Sequence, residues 1–141
     1  MRLKKEFIIV ICIVVFIVVL EIVTNNVSQK SVDEIYQEIE KINQELDVAN
    51  NKKQNNILET SEKNELDEKI YNLKNNWFEK QNTLSYFFEH DELEKVTKCV
   101  IVLEENSKNE EYANALEDGK EFIYWLDHFK EKDSLKLKNI F

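Results

Sequence analysis

The chain has 141 residues, of which 43% are hydrophobic and 33% charged, and its net charge at pH 7 is −9. The first 24 residues carry three basic and two acidic side chains, so the remainder carries a net charge of −10. An acidic chain with no arginine beyond Arg2 is a poor match for nucleic acid or anionic lipid headgroups, and no nucleic-acid partner is expected. The absence of proline and the single glycine indicate helices throughout.

The N-terminal part of the chain is strongly apolar. Residues 7–20, FIIVICIVVFIVVL, contain no polar side chain, and apolar residues resume after Glu21 as far as Val23. A helix over these residues spans roughly 26 Å, close to the hydrocarbon core of a bilayer. We predict a transmembrane anchor over residues 7–24.

The apolar segment has two other possible interpretations. A buried core helix would need a polar face toward water, which this segment lacks. A cleaved signal peptide would need small residues near its cleavage site, and the first alanine in the chain is Ala49. Cleavage therefore remains the open alternative to an uncleaved anchor.

The charged residues that flank the anchor predict its orientation. Arg2, Lys4 and Lys5 precede it, whereas the first basic residue after it is Lys30. Because positive residues favour the cytoplasmic side, we expect a cytoplasmic N-terminus over residues 1–6 and an extracytoplasmic ectodomain. The protein is then a single-pass protein of the cell membrane. Six cytoplasmic residues are too few for an output domain.

Beyond the anchor, apolar residues recur mostly at spacings of three and four, strictly alternating in the first stripe, which is the pattern of amphipathic helices and coiled-coil seams. We therefore predict an all-α fold, with one N-terminal transmembrane helix followed by an antiparallel ectodomain like a four-helix bundle over residues 25–133. The four stripes are Val32, Ile35, Ile39, Ile42, Leu46 and Ala49; Leu66, Ile70, Leu73, Trp77, Leu84 and Phe87; Leu93, Val96, Val100 and Leu103; and Tyr112, Leu116, Gly119, Phe122, Ile123, Leu126 and Phe129.

Capping signals predict where these helices begin and end. Residues 31–34 have capping-box spacing, and so do residues 107–110 ahead of the fourth stripe. The first bundle helix should end near Asn50, and residues 91–94 should cap the third helix. Whether the membrane helix runs on into the first bundle helix stays open. Gly119 on an apolar face predicts a close approach of two helices.

The apolar turn around residues 86–88 is expected to be enclosed by neighbouring helices. His90 follows it, and the contexts of His90 and His128, YFFEH and YWLDH, echo each other. A Glu three residues before each histidine would indicate a di-metal bundle, but those positions hold Phe87 and Trp125. We expect both histidines in the last turn of a helix, with metal binding and a pH-sensitive or partner-contacting role as alternatives. Cys99 is expected to pack as a small hydrophobe.

The C-terminal residues 134–141, SLKLKNIF, form a separate apolar tail. Termini that are not held down are usually mobile, and such termini rarely carry large apolar side chains. Leu135, Leu137, Ile140 and Phe141 are therefore expected to dock, either on the bundle itself or on a partner protein.

Several of these features occur together in one known family. Trp77, residues 86–93 (YFFEHDEL), residues 126–128 (LDH) and the terminal SLKLKNIF follow one another in an order that resembles a family of short bacterial membrane-anchored helical proteins. That family is a domain of unknown function found mainly in low-GC Gram-positive bacteria. The resemblance covers nearly the whole chain. It implies the architecture and supplies no catalytic residues.

The sequence contains no phosphate loop, nucleophile elbow or paired-carboxylate motif, so no enzyme activity and no cofactor are expected. We predict a non-enzymatic accessory or scaffold subunit that contacts another membrane or envelope protein, or a second copy of itself. The alternative is an extracytoplasmic ligand-sensing bundle. The candidate interaction residues are Trp77, His90, His128 and the four apolar residues of the tail, Leu135, Leu137, Ile140 and Phe141.

The orientation predicts the outcome of a labelling experiment. A cysteine introduced within residues 50–56 should react with a membrane-impermeant maleimide in intact cells, because this region is expected outside the membrane. Lysed cells provide the control for full reactivity. Labelling that occurs only after lysis would show that the orientation is reversed.

Overall fold

Four helices make up the structure, a computed structural model that describes the backbone of residues 2–138 and the side chains of residues 5–132. They are α1 (Arg2–Gln54), α2 (Thr60–Leu84), α3 (His90–Lys108) and α4 (Tyr112–Lys138). The described backbone contains no strand. The predicted all-α fold is confirmed.

Helix α1 is unbroken from the apolar segment into the bundle. Its N-terminal part is long and apolar enough to cross a membrane, and no other part of the chain that the structure describes buries it. The predicted capping box at residues 31–34 is wrong, because Ser31 lies inside α1. The helix ends at Gln54 instead of near Asn50, since the polar residues between them include no glycine or proline to stop it.

The helices form a bundle in which α1 and α3 each pack against both α2 and α4. Contacts between α1 and α2 show their relative direction: Lys69 Nζ lies 2.9 Å from Glu45 Oε1, and Asn76 Nδ2 donates to Glu38 Oε2 over 2.9 Å. Residue numbers rise along one helix as they fall along the other, so the two are antiparallel.

The same holds where α1 meets α4. Near one end of the bundle, Lys130 Nζ lies 2.9 Å from Asp33 Oδ1. At the other end, Lys53 Nζ, in the last turn of α1, donates to the carbonyl oxygen of Glu110 over 2.6 Å. Because α4 begins just after Glu110, it runs back along α1 toward the apolar segment.

The predicted apolar stripes form the core. All six residues of the first stripe are at most 5% exposed, and all four of the third are buried. Leu116, Ile123 and Phe87 are only partly buried and pack against the core. The buried members of the second and fourth stripes are Leu66, Ile70, Leu73, Trp77, Leu84, Tyr112, Gly119, Phe122, Leu126 and Phe129, joined by Phe88, Cys99 and Ala115.

Two turns depend on left-handed residues that are not glycine. Asn56 has φ 57° and Glu110 has φ 60°. After α1, the amide of Ile57 donates to the carbonyl of Lys52 over 2.9 Å, and the amide of Asn56 donates to the carbonyl of Lys53 over 3.0 Å. This pair of hydrogen bonds is the Schellman motif, which satisfies the last carbonyls of a helix.

The turn between α3 and α4 repeats the motif. The amide of Glu111 donates to the carbonyl of Asn106 over 2.8 Å, and the amide of Glu110 donates to the carbonyl of Ser107 over 2.9 Å. Residues 107–110 therefore end α3 and do not cap α4, so the predicted capping box is wrong. The Ser107 hydroxyl is buried and donates instead to Asp67 Oδ1 over 2.8 Å.

The predicted tail lies mostly outside the described residues. Helix α4 continues through Lys138, so the backbone shows no boundary at residue 134. The side chains of Leu135 and Leu137, and Ile140 and Phe141 altogether, lie outside the described residues. So do the side chains of Arg2 and Lys4, on which the predicted orientation depends in part.

Gly119 marks the predicted close approach of two helices. It is buried, and a Cβ atom there would lie 1.9 Å from Oδ1 and 2.8 Å from Cγ of Asn43 on α1. Glycine allows α1 and α4 to come together at this point, and the prediction is confirmed. Asn43 Oδ1 is buried at the contact without a hydrogen-bond partner.

We expect Gly119→Ala to lower the free energy of unfolding by up to about 2 kcal/mol. The added methyl group collides with Asn43, and such overpacking costs about 1–3 kcal/mol, of which the better helix propensity of alanine offsets about 1 kcal/mol. Urea denaturation of the full chain in non-ionic detergent, followed by tryptophan fluorescence, measures the change.

The matched background is Asn43→Ala, which removes the colliding amide. In that background the same Gly119→Ala substitution should raise the free energy of unfolding by up to about 1 kcal/mol, because only the propensity difference remains. An equal effect of Gly119→Ala in both backgrounds would contradict the close contact between these two residues.

Candidate functional site

Of the candidate residues, His90 and His128 lie at the end of the bundle nearest the apolar segment, here called the proximal end. It comprises the α2–α3 turn at residues 85–89, the first turn of α3, and the part of α4 around residues 128–132. Contacts of Glu34 with Lys80 and of Asp33 with Lys130 place the first bundle residues of α1 beside them.

Backbone hydrogen bonds and a buried aromatic ring fix the conformation of the α2–α3 turn. The amides of Phe87 and Phe88 both donate to the carbonyl of Leu84, over 2.9 and 3.0 Å. The ring of Phe88 is buried and stacks on Phe129 of α4, with ring centroids 4.2 Å apart. Tyr86, at the tip of the same turn, is 87% exposed. The prediction that the whole apolar turn is enclosed is therefore wrong for Tyr86.

A charged cluster joins α3 to α4 next to this turn. The carboxylate of Glu92 is buried, lies 3.1 Å from His128 Nε2, and accepts a hydrogen bond from Lys132 Nζ. Burial acts to raise the pKa of Glu92, but the hydrogen bonds from Lys132 and His128 outweigh it and hold the pKa below its ordinary value. Glu92 therefore remains ionised and ties the two helices together.

Helix α3 begins with a second contact of the same carboxylate. The backbone amide of Glu89 donates to Glu92 Oε2 over 3.4 Å, which is one half of a capping box. The prediction that residues 91–94 cap this helix is thus wrong by two residues. Glu89, which precedes α3, is the capping position.

Both histidine positions differ from the prediction. His90 is the first residue of α3 and is exposed, and His128 lies inside α4, ten residues before its last. Neither occupies the last turn of a helix. Within residues 5–132, no group of three or more His, Cys, Asp or Glu side chains is arranged to hold a metal ion.

An aromatic face on α4 continues the cluster. The Trp125 ring meets His128 edge-on with centroids 5.8 Å apart, and Lys95 Nζ from α3 lies 4.5 Å from the Trp125 centroid. The indole Nε1 of Trp125 is buried and has no hydrogen-bond partner. The face thus combines a cation over an aromatic ring with an unsatisfied donor.

Trp77 and Cys99 belong to the interior. Trp77 is fully buried, its Nε1 donates to Thr97 Oγ1 over 2.9 Å, and its ring meets Phe122 edge-on with centroids 5.9 Å apart. Burial, together with the nearby carboxylate of Glu121, raises the pKa of the Cys99 thiol to about 12. Cys99 therefore stays protonated, as expected of a packed small hydrophobe.

Away from the proximal end, a groove of about 510 Å³ lies between α1 and α2. Its lining includes the apolar side chains of Val48 and Leu58. Ion pairs between the two helices, Lys52 with Glu62 and Lys69 with Glu45, line its walls.

Sequence reasoning did not identify Tyr86, Glu92 and Lys132 as parts of one site. His128 and Lys132 are four residues apart on one helix face, and Glu92 lies beside the third stripe. The spacing of His128 and Lys132 can be read from the sequence. That Glu92 is their common partner depends on how α3 packs against α4.

Comparison with known protein families matches residues 22–140 to a domain of unknown function, DUF4363. The matched range begins inside the apolar segment and includes the whole bundle. No curated protein and no solved structure matches the chain.

The charged cluster predicts a pH-dependent contribution to stability. At pH 7, Glu92→Gln should lower the free energy of unfolding by roughly 1–3 kcal/mol, because His128 and Lys132 lose a charged acceptor. Chemical denaturation of the full chain in detergent measures this. Glu94→Gln is the matched control, since Glu94 is exposed on the same helix.

The sign of the pH effect follows from the lowered pKa of Glu92. The stabilisation is fully present above the ordinary value of 4.5 and is lost as the pH falls through the lower pKa of the folded state. The difference between wild type and Glu92→Gln should therefore shrink below pH 4.5. Equal stability of the two proteins at pH 7 would show that the cluster does not hold α3 to α4.

Proposed function

We propose that this chain, which belongs to the DUF4363 family of domains of unknown function, is a single-pass membrane protein whose bundle lies outside the cell and serves as a non-enzymatic scaffold. Its partner is another membrane or envelope protein, or a second copy of the chain. The observation that carries the proposal is that the apolar segment and the first wall of the bundle are one unbroken helix.

An unbroken α1 supports a scaffold role because it connects the bundle rigidly to the segment proposed to cross the membrane. The 53 residues of α1 extend over about 80 Å, without a hinge between the apolar segment and the bundle. A bundle connected in this way is held at a constant height above the membrane. A partner that contacts it is then positioned as well.

The surfaces of the protein are consistent with this role. The apolar residues of α1 from Phe7 to Val23 are all exposed, so lipid or another membrane helix can cover them. Large side chains are also exposed along the bundle, among them Tyr71 on α2, Ile101 on α3 and Tyr124 on α4. Each of these lies on a different helix, and a partner would cover some of them and leave others exposed.

The alternative function, ligand sensing, rests on the groove between α1 and α2. Val48 lines this groove and is 51% exposed, so a larger side chain there fills the groove without entering the core. A Val48→Trp variant therefore separates the two functions. A scaffold keeps its partner contacts in this variant, whereas a sensor loses its response.

The scaffold predicts a specific pattern of photo-cross-linking in intact cells. A photoreactive phenylalanine analogue at position 71, 101 or 124 should give a discrete product of higher mass from at least one position and not from all three, because a partner covers one face. Denaturing gels followed by mass spectrometry of the product measure this. Co-expression with a second tag distinguishes self-association from a different partner.

Position 122 provides the matched control. Phe122 is fully buried two residues before Tyr124, so the analogue there should give no product between chains. A complete absence of products from the three exposed positions in cells would contradict the scaffold.

A further inference from the structure

The α2–α3 turn lies at a height that the structure defines. Glu34 of α1 pairs with Lys80 of α2, and α2 then continues to Leu84 in the opposite direction. One residue advances a helix by about 1.5 Å, so the turn at residues 85–89 is about level with Ser28 of α1.

That level is close to the end of the apolar segment. Ser28 follows Val23 by five residues, which places the turn about 7 Å beyond the segment along the axis of α1. The headgroup layer on each side of a bilayer is about 5–8 Å thick. If α1 crosses the membrane, the turn is therefore at the depth of the lipid headgroups.

Tyr86 is the residue that the turn presents there. Its backbone amide donates to the carbonyl of Thr83 over 3.3 Å, while its side chain remains 87% exposed. Phe88, two residues later, is anchored in the core against Phe129. Tyrosine is enriched at membrane interfaces because its ring is apolar and its hydroxyl can bond to headgroups and water.

We propose that the α2–α3 turn rests in the headgroup layer of the membrane that α1 crosses, with Tyr86 as a second point of contact with lipid. This inference depends on the membrane anchoring in the proposed function. Two contacts, at α1 and at Tyr86, specify the direction in which the bundle tilts, whereas a single spanning helix leaves that direction free. The tilt then determines which side of the bundle faces a partner.

Lipid is the occupant that the geometry favours over a protein. The turn lies at the same end of the bundle as the apolar segment, and its depth follows from the register of α2 against α1. Ile57 and Tyr124 are similarly exposed, at 62% and 64%, but Ile57 lies at the far end of the bundle and Tyr124 lies midway along α4. Tyr86 is the most exposed of the three and the closest to the apolar segment.

The experiment uses the full chain in vesicles of phosphatidylcholine, with Tyr86→Trp and Tyr124→Trp as matched variants. Both replace an exposed tyrosine by tryptophan, and both retain Trp77 and Trp125 as a common background. The Asp33–Lys130 contact places Tyr124 about level with Ile39, and hence about 24 Å beyond Val23. Position 124 is thus well outside the headgroup layer.

The added emission of Tyr86→Trp should be quenched by lipids that carry a nitroxide on the headgroup and be shielded from iodide. The added emission of Tyr124→Trp should show the reverse, with quenching by iodide and none by the lipid. Equal responses of the two positions in vesicles that carry the protein would overturn the inference while leaving the anchor in place. Failure of the protein to float with the vesicles would overturn both the anchor and this inference.

Discussion

The rest of the molecule depends on the packing of the apolar stripe of α1 against α2 and α4. The same helix carries the apolar segment, so this packing also connects the bundle to that segment. The six residues from Val32 to Ala49 lie against α2 and α4, and their burial contributes on the order of 10 kcal/mol. The same spacing continues through Ser28 and Asn25, which are also buried although they are polar. The bundle thus extends to within two residues of the apolar segment, and this explains why the polar stretch between them does not interrupt the helix.

Polar contacts specify the register in which neighbouring helices of the bundle align. Between α2 and α3, Trp77 donates to Thr97, Ser107 donates to Asp67, and Glu104 lies 2.5 Å from Lys74. Glu104 and Ser107 are buried, so a shift of α3 by one turn would break both contacts with α2 and cost more than a shift along an apolar seam. Glu104 would keep only Lys108 of its own helix as a partner. Gly119 acts in the same way between α1 and α4, since only one register places the glycine opposite Asn43. Apolar spacing therefore selects the face of each helix, and a few polar or small residues select its register.

The sequence was informative where spacing decides the outcome and uninformative where capping or register decides it. The buried faces were predicted because positions three and four apart share one face of a helix. The helix ends were not predicted correctly. Glu89 caps α3 at a position where serine or aspartate is usual, and Glu110 takes the left-handed conformation after α3 where glycine is usual. The site was predicted only in part, because the partners Glu92 and His128 are 36 residues apart and meet only through the packing of α3 on α4. Tyr86 was identified as part of an apolar turn, but its exposure depends on where α2 ends.

The antiparallel arrangement brings three parts of the chain to the same end of the bundle. Helix α1 leaves the apolar segment there, the α2–α3 turn lies beside it, and α4 runs back along α1 as far as Lys138. Extending the register of Asp33 with Lys130 places Lys138 about level with Asn25, only two residues from Val23. Gln54, at the opposite end of α1, is 31 residues from Val23, or about 46 Å along the helix axis. With α1 in a membrane as proposed, the length of α1 within the bundle therefore extends no more than about 46 Å from the end of the apolar segment, and any contact with this part of α1 is made within that distance of the lipid.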